Sequence, residues 1–283
     1  MTTDPETFRT ESRQRWEMVA AGWERRRDAM QRAALPVSEW MIDAIAPQPG
    51  HTILELAAGP GDTGFLAAEL VKPGGKLIST DGAEAMVEVG RRRAVELGID
   101  NVEHKAMEAE WIDLPAASVD GVLCRWGYML LADPEAALRE TRRVLKSGGR
   151  LALAAWDAPE HNPWSALIGA ELAGRGLVER GGPDEPGMFA FGRPGRIEEL
   201  LDATGFEDVV VDAVDFEFTA PSFDEWWEYQ FDLSMMVVNA LAPLGPEETD
   251  EVHDAVAARF EPFADESGAL RMPARALVAA ASG

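Results

Sequence analysis

The stretch ILELAAGPGDTG, Ile53 to Gly64, constrains what this chain can fold into more than any other. A short apolar run, with Glu55 near its end, opens into a loop carrying Gly59, Gly61 and Gly64. The pattern predicts a strand, a tight turn and the start of a helix. Such a turn needs glycine because its backbone takes angles that a Cβ disfavours and because a ligand must come close to the main chain. An adenosine-bearing ligand is the expected guest at the carboxyl end of such a strand.

Two ligand classes compete for this loop. As a bare pattern it fits GxGxxG, and Asp81 lies about twenty residues beyond, where a dinucleotide fold places its ribose-binding carboxylate. That reading makes the chain an NAD(P)-dependent oxidoreductase. Glu55, four residues before Gly59, and Pro60, between the first two glycines, do nothing for a pyrophosphate. A carboxylate at Glu55 suits an ammonium or sulfonium ligand, since an acidic pocket stabilises a cation and repels a diphosphate.

Composition narrows the partners. The 283 residues are 46% hydrophobic, and no apolar run is long enough to span a bilayer. The first sixteen residues lack the apolar core of a signal peptide and the single Cys124 cannot form an internal disulfide, so a cytoplasmic protein is expected. With 26 Lys and Arg against 50 Asp and Glu, the formal net charge of −24 disfavours nucleic acid and anionic membranes. There is no HExxH motif, paired CxxC or evident His and carboxylate cluster, and no metal is expected.

Along the chain, residues from about 5 to 46 read as two amphipathic helices, one with Trp16, Val19, Ala20 and Trp23 on a face, the other with Val37, Trp40, Met41, Ala44 and Ile45. Packing and a lid over the ligand are both open for Trp16 and Trp23. Strand and helix patterns then alternate. Strands are expected at Thr52 to Leu56, Lys76 to Thr80, Val102 to Lys105, Gly121 to Cys124 and Arg150 to Ala155. Helices are expected after Asp62, from about Glu84 to Leu97, and from Pro134 to Leu145. Such alternation implies a parallel sheet covered on both faces. Asp133 and Pro134 mark the start of the last of these helices, and Lys146, Gly148 and Gly149 its end. Gly181, Gly182, Pro183, Pro186 and Gly187 mark a loop. Phe206 to Phe218 and Leu270 to Ala280 read as a sixth and a seventh strand, with helices at about Asp224 to Leu241 and Pro246 to Phe263 between them.

In order and at familiar separations, ELAAGPGDTG, STDGAEAM, AEWIDLPAASVDGV and LRETRRVLKSGGRLAL resemble a class I S-adenosylmethionine-dependent methyltransferase. The resemblance covers about residues 40 to 215 and is nearest to the ubiquinone/menaquinone-type and natural-product small-molecule members. It implies an α/β fold with a Rossmann-like, seven-stranded, mostly parallel sheet, helices on both faces, an N-terminal helical lid at 1–46 and a catalytic domain at 47–283. Helical insertions at about 157–195 and 219–267 would serve as lid or acceptor segments. The cofactor implied is S-adenosyl-L-methionine, leaving S-adenosyl-L-homocysteine, with a small organic acceptor from secondary or quinone-like metabolism methylated on O, N or C.

Carried over residue by residue, the resemblance puts Glu55, Ala57, Gly59, Gly61 and Asp62 around the methionine portion, and Asp81 on the ribose hydroxyls with Gly82 and Met86 beside it. A carboxylate can accept from both ribose hydroxyls; the alternative for Asp81 is a turn residue before Gly82. Glu108 and Ala109 fall in the segment that caps the adenine, with Glu110 as a register alternative, and Cys124 and Arg125 line the cofactor and the methyl-transfer site. Ala57 departs from the usual glycine of this loop, a change that costs little if the position is extended rather than left-handed.

Trp126, Tyr128, Met129, Trp156, Asn162 and Trp164 follow the fourth and fifth strands, where open α/β sheets bind ligands. An aromatic-rich mouth for a flat or hydrophobic acceptor and plain loop packing are both open. His161 is the one histidine placed to remove a proton. Trp227, Phe231, Met235 and Val238 share one face of the helix beginning near Asp224, while Tyr229, Met236 and Val237 cover others, so this helix is expected to be buried on more than one side, against the acceptor or in a homodimer. Two further readings are a methyltransferase fold catalysing a non-methylating step and a binding scaffold without catalysis.

Overall fold

A computed structural model describes residues 4–179, 181–182 and 185–283. Pro183, one of the loop residues singled out above, lies outside them.

The expected alternation forms one seven-stranded sheet in the order β3-β2-β1-β4-β5-β7-β6. Strands β1 (Thr52–Glu55), β2 (Lys76–Asp81), β3 (Val102–Ala106), β4 (Val119–Arg125) and β5 (Leu145–Trp156) run parallel. Helices α2 (Asp62–Leu70), α3 (Glu84–Leu97) and α4 (Pro134–Val144) make the crossovers that parallel pairing demands. Strand β7 (Leu270–Ser282) then enters antiparallel between β5 and β6 (Glu207–Ala220). The central strands carry the core, with Ile53, Leu54, Val122, Leu123, Leu151 and Ala152 all buried, the continuous apolar runs that a sheet covered on both faces requires.

The structure corrects the sequence reading at several elements. The N-terminal region is one helix of 41 residues, α1 (Pro5–Ile45), rather than two, with Pro36 inside it. The two apolar stripes were real, but they mark two neighbours. Val19 and Ala20 pack with Met86 and Val89 of α3, whereas Val37, Met41, Ile42 and Ile45 join the main core over the sheet. Helix α4 passes directly into β5 at Leu145, so Lys146 to Gly149 lie in the strand instead of forming a separate turn. The helix expected to begin near Asp224 is broken at Ser234 into α7 (Phe223–Leu233) and α8 (Met235–Leu241). Its buried side chains are Trp226, Trp227, Gln230, Val237, Ala240 and Leu241, and Phe231 and Met236 point to solvent. Two helices occupy the connection from β5 to β6, α5 (Pro163–Gly174) within the insertion expected at about 157–195 and α6 (Arg196–Ala203) just beyond it, and α9 (Pro246–Phe260) completes the insertion before β7.

Candidate active site

The carboxyl ends of β1, β2 and β4 open on a cleft of about 1070 Å³, counting the solvent at its mouth. The turn after β1 builds its floor. Ala57, Gly59 and Gly61 all have positive φ, at 49°, 53° and 90°, and space near Gly59 is open where a side chain would start. A Cβ on Gly61 would meet the Phe65 ring at 2.5 Å, and one on Gly64 would meet Oε2 of Glu55 at 2.2 Å. Glycine at 61 is favoured by its left-handed backbone, and glycine at 64, inside α2, by its packing against Glu55. Ala57 is left-handed, not extended, so the condition on which its methyl group was expected to be harmless fails. Its room comes from Gly127, where a Cβ would stand 2.7 Å from the Ala57 Cβ.

Glu55 is buried at the end of β1. Its Oε1 accepts from the Gly64 N–H at 2.8 Å, while Oε2 has no partner among the described residues. Burial pushes this carboxyl up to about 8, with the Gly64 N–H and Arg125 pulling it down and Asp62 and Asp81 adding to the rise. Asp62, the first residue of α2, is likewise buried, raised by desolvation, and leaves Oδ1 unpartnered among the described residues. Asp81, at the end of β2, holds the turn through Gly59 N–H at 2.9 Å and the start of the next helix through Ala83 N–H at 3.0 Å. Burial pushes it up to about 6, against those two hydrogen bonds.

The roof is the first half of α1. Phe8, Ser12, Trp16 and Trp23 line the cleft from one face of that helix. Arg9 donates to the buried Glu110 at 3.1 Å and Arg13 to Glu108 at 3.3 Å, tying the helix to the segment after β3. Glu110 also accepts from the Asp133 N–H at 2.8 Å, and Glu17 caps α3 by accepting from the Glu84 and Ala85 N–H groups. On the β4 side, Arg125 and Trp126 form the wall, continued by Leu130, Leu131 and Ala132. Trp126 has a φ of 62°, an outlying conformation for a bulky residue. Its ring meets the Arg125 guanidinium, 4.6 Å from the centroid, and stacks on Trp156 at 4.1 Å.

Comparison with known proteins identifies what this arrangement belongs to. Residues 36–166 match the model of the ubiE/COQ5 methyltransferase family. The nocamycin O-methyltransferase of Saccharothrix syringae is 30% identical over 66% of this chain and 70% of its own length. The chain belongs to the class I S-adenosylmethionine-dependent methyltransferases. A ubiquinone/menaquinone biosynthesis C-methyltransferase of Pasteurella multocida is 35% identical over 44% of the chain, and the chain spans about half the length of the relatives of that name that it matches. The YcgJ protein of Bacillus subtilis shares the fold at 19% identity and a TM-score of 0.58, with 87% of this chain and 97% of that one covered.

Against this family frame, the cleft gathers Glu55, Ala57, Gly59, Asp81, Gly82, Met86, Glu108, Ala109, Arg125 and Trp126 from the expected residues. Glu110 lines it too, so both register candidates are present. Gly61, Asp62 and Cys124 lie just behind its lining, Cys124 buried with its thiol pushed up to about 12 by desolvation. The remaining acceptor candidates are elsewhere. Tyr128 is buried with its hydroxyl 2.6 Å from Thr141 Oγ1, and Met129 lines a second hollow beside Pro134. Trp156 and Trp164 belong to an aromatic cluster with Phe216, Phe218 and Trp226. Asn162 is fully buried, accepts from Arg275 N–H and Trp164 Nε1, and donates to the Asp157 and Arg275 carbonyls. His161 sits on a short 3₁₀ turn outside the lining, with Nδ1 2.7 Å from Asp157 Oδ2.

Sequence reasoning missed Phe8, Arg9, Ser12 and Arg13. Stepping the Trp16 face back by four residues twice reaches Ser12 and Phe8, so that signal existed. For the two arginines there was none, because their partners lie 101 and 95 residues away.

Proposed function

We propose that this chain transfers a methyl group from S-adenosylmethionine to a small organic acceptor. The observation that carries the reading is the acidic lining at the glycine turn: Glu55, with one oxygen unpartnered among the described residues, and Asp81, with buried Asp62 outside the lining leaving a second unpartnered oxygen. Carboxylates so placed stabilise an ammonium or sulfonium and would repel the pyrophosphate of a dinucleotide. The residues therefore fit the cofactor. Glu55 and Asp62 would face its amino-acid end, with the turn from Ala57 to Gly61 under it. Asp81, both oxygens of which keep lone pairs after bonding the backbone, would accept from the ribose hydroxyls, with Gly82 and Met86 alongside, and Glu108 and Ala109 would border the adenine. When bound, the cofactor supplies an activated methyl group on a positively charged sulfur. The chain's part is placement and exclusion of water, which Trp16, Trp23 and Trp126 provide.

The first half of α1 serves as a lid in this reading, and the insertions at about 157–195 and 219–267 shape the acceptor side. The relatives named above act at O and at C, and an oxygen or carbon acceptor of secondary or quinone-like metabolism is proposed here. Calorimetric titration with S-adenosylmethionine, S-adenosylhomocysteine and NADH tests the cofactor. The first two should bind and NADH should not; binding of NADH alone would return Gly59, Gly61 and Asp81 to the dinucleotide reading.

A further inference from the structure

The wall that Arg125 and Trp126 make at the end of β4 is rich in hydrogen-bond donors that the protein leaves unspent. Nη1 of Arg125 and Nε1 of Trp126 are both buried and have no partner among the described residues. The nearest carboxylate oxygen to the guanidinium, Asp62 Oδ2, is 3.8 Å from Nη2, close enough for attraction and too far for a hydrogen bond. The guanidinium lies over the Trp126 ring, 4.6 Å from its centroid, and that ring is itself stacked on Trp156, contacts that place the guanidinium at this wall. Leaving such donors buried and unmatched costs free energy unless a ligand supplies the acceptor atoms.

We propose that the acceptor is an oxygen acid, a carboxylic acid or an enol of comparable acidity, bound as its anion with the charged oxygen against Arg125 and Trp126. This rests on the methyltransferase reading. An amine would find the wrong chemistry, since its N–H groups need acceptors and its protonated form is repelled by the guanidinium. An anion also arrives without a proton, which suits a cleft with no histidine in its lining and with His161 turned to Asp157. The rest of the neighbourhood, Trp23, Leu130 and Leu131, suits an apolar, planar body. The cofactor's own carboxylate is the other source of an oxygen anion. The effect of Arg125→Gln on S-adenosylhomocysteine affinity tells the two sources apart.

The test uses three probes of one skeleton, 2-naphthoate, 2-naphthamide and 2-naphthylmethylamine, titrated calorimetrically into protein saturated with S-adenosylhomocysteine. The acid should bind about tenfold or more tightly than the amide, the return expected from a charge-assisted hydrogen bond, and the amine should not bind. Arg125→Gln should abolish the preference for the acid and leave the affinity for S-adenosylhomocysteine within about threefold, while Arg125→Lys keeps part of the preference. Trp126→Phe, which retains the ring, should weaken only the acid. Three outcomes overturn the assignment: no binding of naphthoate, equal or tighter binding of the amide or amine, or a loss of about tenfold or more in S-adenosylhomocysteine affinity for Arg125→Gln, which would give the guanidinium to the cofactor. Wild-type protein that fails to bind S-adenosylhomocysteine removes the methyltransferase reading itself, a result visible before any probe is added.

Discussion

Asp81 and Glu55 divide the work at the turn, and each should answer to a different experiment. Asp81→Ala removes a charged acceptor and should weaken S-adenosylmethionine binding by about 1.5 to 3 kcal/mol, measured by calorimetry on a folded variant. Unchanged affinity would remove Asp81 from the ribose. Glu55 should speak through pH. Burial raises its carboxyl to about 8, so the fold favours the protonated form, and stability falls as pH rises from the ordinary carboxylate range through about 8. A cationic ligand favours the ionised form, so binding should release a proton. S-adenosylmethionine affinity should then increase from about pH 6 to about pH 8 and level off above, with proton release seen in buffers of differing ionisation enthalpy. Flat affinity without release would show that Glu55 does not face the cation. Both residues were legible in the sequence because they stand at set offsets from the glycine loop, Glu55 four residues before Gly59 and Asp81 about twenty beyond it. Trp156, Trp164 and Asn162 were harder to place, since an aromatic mouth and an aromatic core have the same composition. The partners that draw them inward, Phe216, Phe218 and Arg275, come from distant strands.

Among the elements, α1 carries the most interpretation. Gly22 lets it touch the end of α7, for a Cβ there would stand 2.0 Å from the Asp232 carbonyl oxygen. Asp232 in turn pairs with Arg25 and Arg26. Gly22→Ala should cost about 1 to 3 kcal/mol as an overpacked contact, read as a lowered midpoint in thermal unfolding, and an unchanged midpoint would mean that the two helices can part freely. The strands were readable from their apolar runs and from the turn residues between them. The continuity of α1 was not, because two stripes meeting two neighbours look like two helices when the neighbours are out of view. Helices α5 and α6 follow the same logic. Helix α5 buries only Ile168 and Leu172 fully, too few to leave a periodic trace.

For the whole molecule, a formal charge of −24 on 283 residues sets a background that local ion pairs do not cancel. Self-repulsion of this kind opposes compaction and is screened by salt. The thermal midpoint should therefore rise by several degrees between about 50 mM and about 500 mM sodium chloride, where a Debye length of roughly 14 Å shrinks to about 4 Å. A midpoint that falls with salt would mean that the surface ion pairs outweigh the repulsion. Some of the excess acid has a local use. The edge strand β6 exposes Glu207, Asp208, Asp212 and Glu217, charges that discourage another chain from pairing with it.

The single 41-residue rod of α1 has one more consequence. At about 1.5 Å per residue its tip at Arg9 stands some 20 Å from Gly22, and a stiff body held at mid-length behaves as a lever. A small tilt at the Gly22 fulcrum becomes a large excursion at the cleft. Substitutions at Asp232, where α7 meets α1 at Gly22, should therefore alter how fast ligands enter and leave although Asp232 is not among the residues that line the cleft.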